Sequence, residues 1–220
     1  MNVLVACEES QAVTIAFRKR GHIAYSCDIQ KCSGGHPEWH INSDVLPLLN
    51  GNCTFITQDT HTHTIAGKWD LIIAHPPCTY LSNAGANSLW KGKKLNISRY
   101  EKGKEAAQFF MKFYTAECER IAVENPIPSS IYGLPNYDQI IQPWQFGHPV
   151  QKKTCLWLKN LPPLQPTKIC AERQSTKIPG NWFNKGGKDR QKNRAKTFPG
   201  IAEAMAAQWG ILTPIQLTLF

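Results

Sequence analysis

The chain has 220 residues, 42% hydrophobic and 19% charged, which fits one globular domain with a real core plus a modest appendage. No run reaches the roughly 18 uninterrupted apolar residues of a membrane span, and the opening decapeptide lacks the basic start and cleavage site of a secretory leader, so a cytoplasmic protein is expected. The net charge of +9 is not spread evenly: residues 151–200 carry twelve Lys and Arg against two acids, while the remainder of the chain stands at −1. A polyanion such as nucleic acid is the natural partner of such a segment, because each neutralised phosphate releases counterions; the alternative is a solvated charged tail. The eight cysteines are scattered through apolar segments, so reduced core thiols are expected rather than a disulfide framework.

In chain order, Met1 to Ala6 is a short apolar run. Gln11 to Arg20 follows with helical spacing at Val13, Ala16 and Phe17, until Gly21 stops it. From His22 to Asp28 the apolar positions alternate and end in an acid. Strand, helix, strand and terminal Asp is how a doubly wound nucleotide-binding sheet opens, with the acid placed to take ribose hydroxyls. Further strands are predicted at Trp69 to Ala74, Arg120 to Val123 and Thr154 to Leu158, with a helix from about Glu101 to Cys118. This alternation argues for an α/β fold with a mainly parallel sheet. Leu161 to Pro199 is rich in Pro, Lys, Asn and Gly and reads as a basic, loop-rich insertion; Ile201 to Trp209 closes the chain as an Ala-rich helix. The expected organisation is a catalytic α/β domain over 1–160, a short basic insertion over 161–199, and a closing helix and tail over 200–220.

Ligands of such sheets sit beyond the carboxyl ends of the strands. There the sequence places Cys7-Glu8-Glu9, Asp28, Pro76-Pro77-Cys78 and Glu124-Asn125-Pro126. A cysteine held by a double proline is either a buried turn thiol or a nucleophile. One further cluster, Cys27, Cys32, His36 and His40, holds zinc-capable residues, yet its Cys-x4-Cys-x3-His-x3-His spacing fits no common finger, and no metal is expected there. A polar loop over a cofactor pocket, with Trp39 as an aromatic lid, is the reading preferred for it.

The segment from Trp69 to Gly85, WDLIIAHPPCTYLSNAG, resembles the strand and Pro-Pro-Cys loop of DNA cytosine-C5 methyltransferases. Arg120 to Pro126, RIAVENP, is similar to that family's Glu-Asn-Val motif. Phe146 to Leu158 resembles its Gly-x-Pro-Gln-x-Arg-x-Arg strand, with Gln151 and Lys153 at the Gln and first Arg. Thr197 to Gly210 is similar to its closing helix. The resemblance implies a doubly wound fold of the S-adenosylmethionine-dependent, Rossmann-like type. It implies methyl transfer to cytosine C5 in DNA through a covalent adduct of Cys78, since a thiolate must add at C6 to make C5 nucleophilic. Glu124 would hold cytosine N3 and feed it proton density, Asn125 would order the loop, and Lys153 would assist catalysis and contact DNA. Ser82, Asn125, Gln151, Arg190 and Arg194 are the other DNA contacts expected.

For the cofactor, S-adenosylmethionine, the expected residues are Ala6, Cys7, Glu8, Asp28, Ile29, Asp44, Val45 and Pro76, with Asp28 on the ribose and Asp44 at the adenine amine. The family opens with Phe-x-Gly-x-Gly after its first strand, where this chain has Ala6-Cys7-Glu8-Glu9-Ser10. Glu8 and Glu9 therefore carry two readings, cofactor contact or helix N-terminal acids. Only a short stretch stands where the family keeps a target-recognition domain, which implies low sequence specificity or a protein partner for targeting, and a phage or prophage origin. Three alternatives remain at this point: another C5 modification of cytosine, action on a nucleotide, or an inactive DNA-binding homologue.

Overall fold

The structure is a computed structural model and describes residues 1–175 and 194–211. Its first two apolar runs form parallel neighbours. β1 (Asn2–Ala6) pairs with β2 (Ile23–Cys27) along its whole length, and α1 (Ala12–Arg18) crosses between them. There follow β3 (His40–Ile41), a hairpin of β4 (Cys53–Ile56) and β5 (Thr62–Ile65), and β6 (Leu71–Ala74). A short helix α2 (Ala86–Leu89) leads into a second hairpin, β7 (Trp90–Lys91) with β8 (Lys94–Leu95). Then come α3 (Ile97–Tyr114), β9 (Ile121–Asn125), β10 (Gln139–Ile141), β11 (Val150–Gln151), β12 (Thr154–Lys159), β13 (Gln174–Ser175) and α4 (Pro199–Trp209).

The central sheet has seven strands in the order β10-β12-β9-β6-β1-β2-β3. Five of them, from β9 to β3, are parallel to their neighbours; β12 runs against β9 and β10 against β12. Because both faces are covered, the strands are near-continuous apolar runs, and alternate residues feed different cores. Val3, Val5, Leu71 and Ile73 pack under α1 and α4, while Leu4, Ile72, Ile121 and Val123 pack under α3 and the β4–β5 hairpin. This is a doubly wound α/β fold. The chain leaves β1 in one direction for β2 and returns on its other side as β6, so the topological switch point lies between the carboxyl ends of β1 and β6.

Two elements differ from the sequence expectation for local reasons. Helix α3 starts four residues before the apolar periodicity suggests, because the Asn96 side chain accepts the Arg99 N–H at 3.3 Å and caps it. The β4–β5 hairpin escaped notice because it is mostly polar, with only Phe55 and Ile65 turned into the core. The described part of the basic insertion, residues 161–175, is laid against the body. Leu161 and Leu164 enter the core, the Gln139 amide both accepts from and donates to the Leu164 backbone, and β13 pairs with β11. Residues 176–193 and 212–220 of the expected insertion and tail lie outside the described residues. Among the described residues no helix is long and apolar enough to cross a membrane.

Candidate active site

Strand β6 ends at Ala74 and passes into His75-Pro76-Pro77-Cys78, and the adjacent parallel strand β9 ends in Glu124-Asn125. The loop that bears the thiol is tied to the end of β9 at three places. Asn125 Nδ2 donates to the Pro76 carbonyl at 2.9 Å, Ser129 N–H to Leu81 O at 2.7 Å, and Asn83 N–H to Ile127 O at 2.9 Å. Within the loop, the Cys78 carbonyl accepts the Leu81 and Ser82 N–H groups, and the Ser82 hydroxyl accepts the Ala84 N–H. The prolines supply fixed φ angles, and the buried Asn125 amide holds the loop from beneath.

A side chain that sequence reasoning did not single out, the histidine just after β6, reaches Glu124. His75 Nδ1 lies 2.7 Å from Glu124 Oε2, with both side chains almost buried, at 10% and 14% exposure. Its own N–H donates to Ala6 O and extends the β1–β6 pairing by one residue. Burial opposes charge on both groups, but their hydrogen bond and mutual attraction outweigh it: Glu124, helped by Lys152, sits below the usual carboxylate pKa, and His75, helped by Glu8, sits above the usual imidazole value. Burial and the Glu124 charge push the Cys78 thiol up, while Lys152 and Arg194 pull it down.

Lys152 is the basic residue that bears on this group. It leaves the turn between β11 and β12, shares a small pocket with Glu124, Thr154 and Thr197, and donates from Nζ to the Arg194 carbonyl at 3.0 Å. Lys153 and Gln151 are exposed on the other side, Gln151 bonding to Arg173 O. Of the two lysines, Lys152 is partly buried and Lys153 exposed. Arg194 is exposed, and its charge reaches Cys78. Arg190 lies outside the described residues. Beside the Cys78 loop, Arg99 and Lys102 both lie over the Tyr80 ring, and Arg99 donates to Thr79 O at 2.8 Å.

At the other side of the switch point, Ala6 and Cys7 end β1, Asp28 and Ile29 follow β2, and Asp44 and Val45 follow β3. The charges of Asp28 and Asp44 both act on Cys7, whose thiol is held up first by burial and then by these acids. Asp28 accepts the Gln30 N–H at 2.8 Å, and burial raises its carboxyl. Asp44 accepts the Leu46 N–H, Val45 is buried, and Pro76 is buried beneath the Cys78 loop. Ile29 is 81% exposed, an apolar surface beside the acid.

The two readings of Glu8 separate clearly. Its Oε1 accepts the Val13 N–H at 2.6 Å, and its Oε2 accepts the Thr14 N–H and hydroxyl, so the carboxyl is engaged by the first turn of α1. Cys7 and Gln11 take left-handed conformations, φ 58° and 60°, which glycine adopts freely and which cost other residues about 1–2 kcal/mol each. The close approach that a glycine permits is found on the covering loop. A side chain at Gly34 would meet the Ser10 carbonyl and Gln11 Cβ, each at 2.6 Å, and Ser33 N–H donates to Glu9 O.

The zinc-capable residues are not gathered. His40 has both ring nitrogens within 2.8 Å of Ser26 Oγ and Gln30 O, Cys27 donates to Ser43 O, and His36 pairs with Glu38 and stacks on Trp39. No group of three metal-binding side chains occurs among the described residues. Trp39 instead lines an open cleft of about 290 Å³ with Arg18, Tyr25 and His63, none of which belongs to the Cys78 group.

The His75–Glu124 pair gives a test of the site's electrostatics. The raised imidazole contributes stability below pH 6.5 that is lost as pH rises through its folded value, and the lowered carboxyl contributes above pH 4.5 and loses it as pH falls. Denaturant unfolding of wild type and Glu124→Gln at a series of pH values is therefore expected to show the largest gap between pH 4.5 and 6.5. A gap independent of pH would mean the pair is not ionised.

Fold and site together define a doubly wound α/β protein that carries a thiol just past the end of β6 and a carboxyl at the end of the adjacent strand β9, near enough for its charge to act on the thiol. No family model matches the sequence, and no curated protein does. Among solved structures, a prophage-encoded protein of E. coli named for the DNA modification methyltransferases is 14% identical, with a TM-score of 0.42, over 77% of this chain and 52% of its own. A DNMT2 variant from Spodoptera frugiperda is 13% identical, with a TM-score of 0.35, over 81% and 55%. The chain thus spans about half the length of either.

Proposed function

We propose that the protein is a DNA cytosine-C5 methyltransferase that uses S-adenosylmethionine and works through a Cys78 adduct. The observation that carries this reading is that the Cys78 loop is tied by Asn125 to the end of β9, where the charge of Glu124 acts on the thiol, in a sequence context resembling that of the family. A cytosine turned out of its helix would present C6 to the thiol and N3 to the carboxyl. Cys78 loses its proton to water and bonds to C6, Glu124 supports the proton on N3, and C5 becomes the nucleophilic carbon of an enamine. After C5 has accepted its new substituent, it loses its hydrogen as a proton and the C6–S bond breaks.

The residues at the ends of β1, β2 and β3 fit the adenosine half of the cofactor: a half-buried acid for hydroxyls, an exposed isoleucine for a ring face, and a second acid nearby. When bound, S-adenosylmethionine would supply an electrophilic methyl group. Asp28→Ala is expected to weaken its binding by about 1–3 kcal/mol, read by calorimetry, for the lost hydroxyl bonds. Unchanged affinity would remove Asp28 from the site. Lys152, Arg194 and the Arg99–Lys102 side of the Cys78 loop serve DNA phosphates, with Arg190, Gln151, Lys153 and Ser82 as further contacts.

The decisive experiment is nucleoside mass spectrometry of DNA incubated with the protein and isotopically labelled S-adenosylmethionine. Labelled 5-methyldeoxycytidine is the expected product. Unmodified DNA, or a label on another base, would overturn the reading.

A further inference from the structure

The Glu8–His75–Glu124 row is not explained by a thiol and a base-holding acid alone. Three ionisable side chains from three separate segments converge in the sheet interior. Glu8 comes from the turn after β1, His75 from the end of β6 and Glu124 from β9. Glu8 is fully spoken for by the start of α1. Glu124 takes the Nδ1 side of the imidazole at 2.7 Å. The remaining ring nitrogen, Nε2, is buried with no hydrogen-bond partner among the described residues, so the ring is held there at a cost in desolvation. A histidine kept in such a place only for packing would be better replaced by an apolar residue.

We infer that His75 is the positioning residue and proton store of Glu124: the buried pair holds one mobile proton, which His75 passes to the Glu124 carboxyl and Glu124 passes to the ring nitrogen of the bound base. The inference rests on the proposed reaction. The His75 Nδ1–H bond breaks, an N–H bond forms on the base, and the carboxylate is the same before and after. Imidazole is left neutral, and the proton returns by the same route when the C6–S bond breaks. The groups that face His75 are Glu8 and Glu124, which favour its charge, and Lys152, which opposes it. Their balance lifts His75 above the ordinary imidazole value and so favours the proton on the pair. It also resolves a conflict in the site, since an ionised Glu124 alone could not donate and its charge resists ionisation of Cys78. Movement of the proton onto Glu124 cancels the charge that opposes the thiolate, so acid delivery and nucleophile formation are coupled.

The test has an arm that needs neither DNA nor cofactor. Nitrogen-15 NMR of the full chain labelled at histidine is expected to show one imidazole, absent in His75→Gln, that is protonated on both nitrogens at pH 7. In Glu124→Gln the same ring should titrate at or below the ordinary value. A neutral His75 at pH 7 in the wild type would overturn the inference. In turnover, His75→Gln keeps a donor for Oε2 but no titratable proton. Its kcat should fall about 10–100-fold with KM little changed, and its activity should survive only toward acid pH, where Glu124 carries its own proton. A wild-type pH profile in that variant would also overturn it. If His75→Gln does not fold, the comparison of wild type with Glu124→Gln decides by NMR. If no methylated base forms while the ring is doubly protonated, the reaction assigned above fails and the proton pair stands.

Discussion

Cys78→Ser is expected to reduce product formation to background and to abolish covalent capture of DNA containing 5-fluorocytosine. The argument is chemical. A serine hydroxyl fills almost the same volume in the loop held by Asn125 and Ser129, so the fold and DNA affinity survive, but its alkoxide is not accessible at neutral pH beside Glu124. Fluorine at C5 blocks the final loss of a proton, so in the wild type the adduct accumulates and peptide mapping places it on Cys78. Cys27, Cys118 and Cys155 do not compete: they are buried, and burial raises their thiols. An adduct on any of them, or one that persists in Cys78→Ser, would remove Cys78 from the mechanism.

Glu124→Gln should lower kcat by about 10²–10⁴ while leaving the protein folded. The amide is isosteric and can still bond to His75, but it neither receives the His75 proton nor passes one to the base. Because Glu124 raises the Cys78 thiol, the same substitution makes the thiol easier to ionise. Iodoacetamide should therefore modify Cys78 faster in the variant, even as turnover collapses. The two readouts moving in opposite directions separate this account from simple damage to the loop. Near-normal turnover would mean that cytosine is held in some other way.

The parts of the fold that the sequence made legible are those in which local pattern and tertiary environment agree. The parallel strands are buried on both faces and read as apolar runs, and their carboxyl ends bring Cys78, Glu124 and Asp28 forward as candidates from the sequence alone. His75 stood in the same place and was passed over, because a histidine before a double proline has no periodicity of its own. Only the register of β6 against β9 brings it to Glu124 across 49 positions. Lys152 has a smaller reason: the resemblance puts Gln151 and Lys153 at the motif's Gln and first Arg, and only the folded turn shows that Lys152 is the lysine that shares a pocket with Glu124. The first turn has none of the glycines that the resembled family carries there. In three dimensions Cys7 and Gln11 hold the left-handed conformations, and Gly34 supplies the close approach from the opposite loop.

Arg18 has a wider significance for the handling of this protein. The outer strand β3 covers only the last two residues of β2, Ser26 and Cys27, so the first half of β2 would otherwise offer bare backbone to another chain. Arg18 closes that gap: Nε donates to the Ala24 carbonyl at 2.7 Å, and its guanidinium lies over Tyr25 and Trp39. A charge planted on an open strand edge is a common guard against strand addition between molecules. Without it, the apolar edge at Ile23 to Tyr25 becomes a template, and concentrated Arg18→Ala protein would be expected to thicken into fibrils that bind thioflavin while the Cys78 chemistry of the remaining monomer is untouched.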